Sequence, residues 1–358
     1  MFLWGREWSR AELMQRVGAL SQLGGISHFE YCDGKAKGVT AVRVRTAVGL
    51  DFSVLPEKGM DIVEAAYKGM SLSWHSPAGV VHPAYYDCRD IQWLKTFPGG
   101  LVGTCGSTTA GSPSEDQGEQ LGLHGPIANT PAEHVRWSEE WKDDELLLTV
   151  SGKVREARVF GPNLVMNRTV RTSLAGRSIQ LLDRFVNEGY ADVPLMQVYH
   201  LNFGFPLLTE RSRIYAPSKK VTPRTEIAGQ FIDSWSRFEA PTAGIAERVY
   251  YHEMIPNQNG NVLVVLVGDD STRDFGVVLE YRAATLPRFI QWKMLGATHY
   301  ALGLEPANCK VEGRSAERQA GSLQMLPPNA SREFALEIRV LDGQQEVAQA
   351  IASVDQSR

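Results

Sequence analysis

The sequence predicts an all-β fold, a large antiparallel β-sandwich preceded by a short N-terminal helix. From Gly38 onward apolar and polar residues alternate with a period of two, which is typical of strands with one buried face. Thirty-three Gly and 18 Pro residues punctuate the chain, so the strands are expected to be joined by turns. Sandwiches of this class can keep one core at 358 residues. We therefore expect one domain over residues 1–358, with residues 1–25 as a helical extension.

The predicted helix begins after Ser9. The spacing in Ser9-Arg-Ala-Glu12 is that of a capping box, in which each side chain satisfies a free backbone donor of the other residue. Apolar residues follow at helical spacing at Leu13, Val17 and Leu20. The pair Gly24-Gly25 marks the expected end of the helix.

The clearest strands form a predicted hairpin from Leu164 to Asn187, which reverses direction at Ala175-Gly176. Further alternating segments predict strands at Glu145–Val150, Asn261–Val267, Phe275–Tyr281 and Arg332–Leu341. Between Pro77 and Glu133 the periodicity is weak and Gly, Pro, Ser, Thr and Asn are frequent. This region is expected to form long loops over the sheets, and such loops are usually functional.

Composition and charge narrow the classes of function. The formal net charge is -4 and both signs are mixed along the chain, so no nucleic-acid partner is expected. The first ten residues carry charges where a signal peptide needs an apolar run, and no segment approaches the roughly 18 apolar residues of a membrane span. We therefore expect a cytoplasmic protein without a membrane partner. The four cysteines lack CxxC spacing and are expected to be free thiols, without a metal or other cofactor.

Three short segments place an ionisable residue among glycines, prolines and apolar neighbours, as in a lined cleft: 121–133 around His124, 197–206 around His200, and 300–308 around Glu305. Apolar neighbours would raise the pKa of Glu305 and make it a better base near neutral pH. His200 could act as a neutral proton donor. Taken singly, an ion pair at a sheet edge would explain Glu305 equally well, and packing in the core would explain either histidine.

In combination, these motifs resemble the aldose 1-epimerase (galactose mutarotase) superfamily, and more closely its uncharacterised bacterial branch. The resemblance runs from Lys58-Gly-Met-Asp61-Ile through the Leu-His124-Gly segment and His200 to Leu-Glu305-Pro. It implies a galactose mutarotase-like supersandwich that acts on a sugar without a cofactor. By the same resemblance, Glu305 takes the proton of the anomeric hydroxyl, His200 protonates the ring oxygen, and His124 binds the sugar.

One departure from the family concerns the sugar. Well-studied galactose mutarotases carry an Asn-His dipeptide and an arginine upstream of the first histidine, whereas the corresponding segment 97–106 contains no arginine. Other polar or aromatic side chains could replace these sugar ligands, or could equally be surface charges or core residues. The candidates are Lys58, Asp61, His75, Asn129, Trp292 and Lys293.

Three functions follow as hypotheses. The first is a mutarotase or epimerase that opens and recloses a sugar hemiacetal. The second is a non-catalytic carbohydrate-binding or sensing protein on the same fold. The third is a metal-dependent sugar isomerase or lyase using His75, His82 or His124 with a carboxylate, although no HxH or HxxxH pair supports it. All three imply a small sugar or sugar derivative as partner and leave the oligomeric state open.

Overall fold

Antiparallel strands are the main regular elements of the computed structural model, which describes residues 1–356. In chain order the strands are β1 Phe2–Leu3, β2 Arg6–Glu7, β3 Gly25–Glu30, β4 Thr40–Arg45, β5 Leu50–Leu55, β6 Asp61–Tyr67, β7 Met70–Ser71, β8 Gly103–Ser107, β9 Ser114–Asp116, β10 Glu119–Leu121, β11 Ala132–Lys142, β12 Glu145–Ala157, β13 Asn163–Ser173, β14 Ser178–Asn187, β15 Val193–Pro194, β16 Met196–Gly204, β17 Arg213–Tyr215, β18 Ser218–Pro223, β19 Arg248–Met254, β20 Asn261–Val267, β21 Phe275–Arg282, β22 Arg288–Gly296, β23 His299–Ala307, β24 Met325–Leu326 and β25 Ser331–Asp342.

The helices are few and short. The α-helices are α1 Arg10–Met14, α2 Glu226–Gln230, α3 Arg314–Gln319 and α4 Gln344–Asp355. Single 3₁₀ turns occur at Leu20–Gln22, Gly34–Ala36, Pro56–Lys58, Pro83–Tyr85, Gln92–Lys95, Ile127–Asn129 and Ile232–Ser234. Over residues 1–356, none of the helices combines the length and apolar character needed to cross a bilayer.

Three sheets carry the architecture. The eight-stranded sheet has the order β11-β12-β13-β14-β25-β21-β20-β17, the six-stranded sheet the order β18-β19-β22-β23-β16-β8, and the five-stranded sheet the order β3-β4-β5-β6-β7. A hydrophobic cluster joins them, since it includes Phe52 of the five-stranded, Leu181 of the eight-stranded and Leu304 of the six-stranded sheet. The predicted antiparallel β-sandwich is therefore confirmed.

The alternating segments form strands because one side chain in two is buried, as the pattern in β12 shows. The predicted hairpin is formed by β13 and β14, with Leu164 opposite Asn187. The other four predicted strands lie in β12, β20, β21 and β25. Strand β8 lies within the expected loop region and was missed, because its sequence Gly-Thr-Cys-Gly-Ser has little β propensity.

The N-terminal helix is shorter than predicted. The capping box between Ser9 and Glu12 is present, but α1 ends at Met14 and only a 3₁₀ turn follows at Leu20–Gln22. Gly18 interrupts the helical pattern, and a glycine inside a helix costs about 1 kcal/mol relative to alanine. Short helices also need tertiary packing to be stable, and only Leu13 of α1 is buried.

Candidate active site

A cavity of about 290 Å³ lies against one face of the six-stranded sheet. Its floor is made by His200 of β16, Glu305 of β23, and Ile290 and Trp292 of β22. In the β22–β23 register Ile290 is opposite Glu305 and Trp292 is opposite Gly303, so these residues share one face. The remaining apolar lining comes mostly from loops and comprises Ile91, Trp93, Leu94, Phe97, Pro113, Leu123, Val249 and Val311.

Two buried ionisable side chains meet on this floor. The Nε2 atom of His200 lies 3.2 Å from Oε1 of Glu305, and the two residues are only 7% and 2% exposed. Burial raises the pKa of Glu305 well above its usual range; the Glu247 carboxylate acts in the same direction and Arg224 opposes it. Burial also lowers the pKa of His200 to about 4. Both groups therefore favour their neutral forms, and the contact is a hydrogen bond between neutral groups rather than an ion pair.

Gly303 leaves room for this pair. A Cβ atom at this position would lie 2.6 Å from Oε1 of Glu305 and 3.1 Å from Cε1 of His200. It would also lie 3.0 Å from Cβ of Trp292. Contacts below about 3 Å force neighbouring atoms to shift, so a side chain at position 303 would displace the carboxylate from the imidazole.

His124 enters the cavity from a loop and is held by backbone groups of residues 106–111. Its N–H donates to the carbonyl of Gly111 at 2.9 Å, and its carbonyl accepts from the N–H of Gly106 at 2.9 Å. Its Nδ1 atom accepts from the N–H of Gly111 at 3.3 Å, so we infer that the neutral ring carries its proton on Nε2. Burial lowers the pKa of His124 to about 3, aided by His200 and Arg224. His124 is therefore a fixed, neutral hydrogen-bond donor.

The loop that holds His124 is anchored by a carboxylate from the eight-stranded sheet. Glu156 of β12 accepts from the backbone N–H groups of Ser107 and Thr108 at 3.2 and 3.1 Å, and from both hydroxyls at 2.5 Å. These charge-assisted bonds fix the middle of the loop, while its two ends, Gly106 and Gly111, hold the histidine.

Trp292 forms an aromatic wall beside the pair. Its ring centroid lies 5.5 Å from that of His200, and its Nε1–H donates to Oε2 of Glu247 at 2.8 Å. The next residue, Lys293, points to the opposite face of β22, because successive side chains of a strand alternate. There its ammonium donates to the carbonyls of Ser234 and Arg237 at 3.1 and 2.5 Å. The predicted sugar ligands Trp292 and Lys293 are therefore separated by the sheet.

Like Lys293, four further candidate sugar ligands lie outside this cavity: Lys58, Asp61, His75 and Asn129. Buried Lys58 donates to the carbonyl of Thr96 at 3.0 Å and to the side-chain oxygen of Asn129, so Lys58 and Asn129 satisfy each other. The carboxylate of Asp61 accepts from the N–H of Thr104 and pairs with buried Arg168, both at 3.0 Å. These polar groups are buried and bonded to other protein groups, which accounts for their place in the interior without a ligand.

The other two histidines of the metal hypothesis, His75 and His82, lie outside this cavity. His75 contacts the hydroxyl of Ser73 at 3.0 Å and lines a separate surface cavity. The Nδ1 atom of His82 accepts from the N–H of Ala84 at 3.1 Å and caps a 3₁₀ turn. The structure does not bring either of them together with His124. Over residues 1–356, no three or more His, Cys, Asp or Glu side chains are grouped to hold a metal ion.

A family profile for DUF4432, a domain of unknown function, matches residues 36–340. The chain belongs to the DUF4432 family. Comparison with curated proteins finds no match. A candidate aldose 1-epimerase from Klebsiella pneumoniae is 25% identical, with a TM-score of 0.88 over 92% of this chain and 87% of that one.

Two more distant structures show the same fold as this DUF4432 chain. A galactose mutarotase-like protein from Clostridium acetobutylicum is 15% identical, with a TM-score of 0.57 over 89% of this chain and 99% of that one. The galactose 1-epimerase of Lactobacillus acidophilus is 13% identical, with a TM-score of 0.58 over the same shares. The fold is therefore galactose mutarotase-like, and the predicted membership of an uncharacterised branch is confirmed.

Two charged residues of the DUF4432 cavity were not predicted from the sequence. Arg224 follows β18, and Glu247 precedes β19; both line the cavity with Glu305. Segment 97–106 lacks the arginine that well-studied galactose mutarotases carry there, but Arg224, from a distant part of the chain, lines the cavity. Neither residue has a local signal, since each stands in a polar segment typical of a solvated loop.

Proposed function

We propose that this protein is an isomerase that interconverts the anomers of a sugar by opening and reclosing its hemiacetal ring. The observation that carries the proposal is the 3.2 Å contact between His200 and Glu305 on the floor of a mostly apolar cavity. In a cyclic sugar the ring oxygen and the anomeric hydroxyl are bonded to the same carbon. A base for one oxygen and an acid for the other must therefore be neighbours, as these two side chains are.

The proton transfers balance within the pair. The reactive form arises when the proton of Glu305 moves to His200 across their 3.2 Å contact, which leaves a carboxylate and an imidazolium. Glu305 then takes the proton of the anomeric hydroxyl while the imidazolium of His200 gives its Nε2 proton to the ring oxygen. The bond from the anomeric carbon to the ring oxygen breaks, and a free carbonyl forms. After rotation about the adjacent carbon–carbon bond, Glu305 returns its proton to the carbonyl oxygen and His200 recovers its own. The opposite anomer forms, and the enzyme ends in its starting state.

The electrostatics of the site support these roles. The raised pKa of Glu305 makes its carboxylate a stronger base than an exposed glutamate, although ionising it costs more. The neutral His124 offers an Nε2–H that can hydrogen-bond a sugar oxygen in both the closed and the open form. Apolar neighbours such as Trp93 and Phe97 exclude water and suit the C–H faces of a sugar ring.

The test is anomer exchange measured by saturation-transfer NMR on a panel of free aldoses and ketoses. Wild type should accelerate exchange of at least one sugar, and Glu305→Gln should reduce the rate by about a thousandfold, within the usual range for general acid–base catalysis. Glu133→Gln is the matched control, because that carboxylate is half exposed and pairs with Arg155 away from the cavity.

A different outcome would favour the carbohydrate-binding hypothesis. If wild type binds a sugar of the panel without accelerating its exchange, or if Glu305→Gln retains the full rate, the acid–base proposal fails. The aromatic walls around Trp292 would then be read as a binding platform.

A further inference from the structure

The charges around the cavity are unevenly distributed. Apart from histidines, the charged residues in its lining are one cation, Arg224, and two carboxyl groups, Glu247 and Glu305. A third carboxylate, Glu312, follows the lining residue Val311 and binds the guanidinium. A ligand that enters the cavity therefore meets one cation that already has a counter-ion.

The pairing of Arg224 with Glu312 is bidentate. The Nε and Nη2 atoms of Arg224 donate to the two carboxylate oxygens of Glu312 at 2.9 and 3.1 Å. Nη2 also donates to the hydroxyl of Ser112 at 2.9 Å, and the hydroxyl of Tyr251 donates to Glu312 at 2.6 Å. This fork is the geometry in which arginine would bind a phosphate or a carboxylate, and Glu312 takes the place of such a ligand.

Glu312 keeps its charge at neutral pH. Burial acts against ionisation, but the hydrogen bonds from Arg224 and Tyr251 lower the pKa of Glu312 below its usual range. Nearby Lys310 is exposed, and its ammonium lies 5.5 Å from the centre of the Tyr251 ring. Solvent screens the charge of this exposed ammonium, which therefore does not replace Arg224 inside the cavity.

We propose that Glu312 is a specificity-determining residue that restricts this site to uncharged sugars by occupying Arg224; the inference rests on the proposed sugar site. A neutral hydroxyl can accept a hydrogen bond from the Arg224 guanidinium without displacing Glu312. A phosphate or carboxylate substituent on the sugar would have to displace Glu312 from Arg224. Otherwise it would lie close to the carboxylates of Glu312 and Glu247, with no unpaired cation among the described residues of the lining to bind it. Like charges at close range in a partly buried site are a strong means of rejecting a ligand.

The experiment measures anion binding rather than catalysis. Inorganic phosphate and D-glucuronate are titrated into wild type and Glu312→Gln at pH 7.5, by calorimetry and by ligand-observed NMR. Wild type should bind both anions weakly, and Glu312→Gln should bind them at least about tenfold more tightly, because Arg224 loses its counter-charge. The gain should disappear in Glu312→Gln combined with Arg224→Gln, which would locate the anion on the guanidinium.

Glu239→Gln is the matched control. Glu239 forms a similar bidentate pair with Arg248, at 3.1 and 2.7 Å, and Arg248 neighbours Lys293 across β19 and β22. Loss of this carboxylate should leave anion binding unchanged. Equal anion binding by wild type and Glu312→Gln, or a gain that survives removal of Arg224, would overturn the proposal. If Glu312→Gln does not fold, Glu312→Ala is used in its place. Tight binding of phosphate to Arg224 in wild type would overturn the proposal by itself.

Failure of this inference can be told apart from failure of the proposed function. The anion titrations do not require turnover, and the anomer-exchange assay uses neutral sugars. If no sugar is exchanged but Glu312→Gln binds anions more tightly than wild type, the proposed catalysis is refuted and the role of Glu312 stands. If neutral sugars are exchanged but Glu312→Gln shows no gain in anion binding, the role of Glu312 is refuted and the proposed catalysis stands.

Discussion

Successive residues of β16, Tyr199 and His200, point to opposite faces of the six-stranded sheet, and each meets a buried acidic side chain. On the interior face the hydroxyl of Tyr199 donates to Asp183 at 2.7 Å. Asp183 also receives two hydrogen bonds from the guanidinium of Arg168, at 2.9 and 2.7 Å. On the cavity face His200 contacts Glu305. The partner of Glu305 is therefore a neutral imidazole, whereas the partner of Asp183 is a guanidinium.

The difference lies in how the buried charge is compensated. Arg168 donates hydrogen bonds to Asp183, Asp61, Thr104 and the carbonyl of Gly59. Burial alone would lower the pKa of this guanidinium, but the two aspartates raise it above its usual value. This network of hydrogen bonds and ion pairs is structural. On the cavity face, the pKa of Glu305 is raised and the pKa of His200 is lowered, so both neutral forms are favoured. This leaves protons available for transfer. Equal burial thus produces a structural ion pair on one face and a candidate catalytic pair on the other.

The largest effect on stability is expected from breaking the interior pair. Asp183→Asn should lower the free energy of unfolding by about 3–5 kcal/mol, because Arg168 keeps its charge but loses its bidentate partner. Urea denaturation followed by tryptophan fluorescence measures this loss. The anomer-exchange rate per folded molecule should stay within about threefold of wild type, and a thousandfold loss would show that the two faces act as one unit.

Gly303→Ala should disturb the cavity face specifically. The added methyl group would lie 2.6 Å from Oε1 of Glu305, so the carboxylate must move away from His200. We expect a loss of about a hundredfold in kcat, since small misplacements of catalytic groups have effects of that size. Gly268→Ala is the control, because there a Cβ atom would make ordinary contacts of 3.4 Å or more. Similar losses in both variants would contradict this interpretation.

Glu305→Gln should stabilise the protein at high pH while it removes activity. Because burial raises its pKa in the folded state, the folded protein holds this proton more tightly than the unfolded chain. The protonated group contributes its full stability at a pH below the usual pKa of a glutamate. This contribution is lost as the pH rises from that usual pKa through the raised pKa of the folded state. Glutamine cannot ionise, so the variant should exceed wild type by about 1 kcal/mol or more at pH 8.

Thermal denaturation between pH 4 and pH 8 checks this sign. The difference in Tm between Glu305→Gln and wild type should shrink toward pH 4. A difference that instead grows toward acid pH would mean that the surroundings of Glu305 stabilise its carboxylate form, and the contrast between the two faces would be lost.

The smallest effect is expected from Trp292→Phe. Phenylalanine keeps an aromatic wall beside His200 but cannot donate to Glu247, whose bond to the indole is 2.8 Å long. Loss of one partly exposed hydrogen bond is worth about 1 kcal/mol, so KM should rise a few-fold while kcat changes little. A large fall in kcat with unchanged KM would instead assign the indole a role in the chemistry.

Several features of the site could be predicted from local sequence. Period-two alternation identified the long strands, and the apolar surroundings of His200 and Glu305 indicated ionisable groups in a cleft, with Glu305 at a strand end. Both inferences depend on nearest neighbours along one chain segment. Lys58 and Asp61 were candidate sugar ligands, and the structure pairs them with other protein groups in the interior. A buried polar residue has a similar local sequence context whether its partner is a ligand or another side chain.

The sequence by itself therefore determined the strand pattern, the fold class and the three residues His124, His200 and Glu305 as a candidate constellation. Only the tertiary structure decided that Arg224 and Glu247 join them, and that Lys293 lies across the sheet from Trp292. Periodicity reports which residues of one segment share a face. The convergence of distant loops on one cavity, and the partner that each buried charge finds there, depend on packing between segments that have no pattern in common.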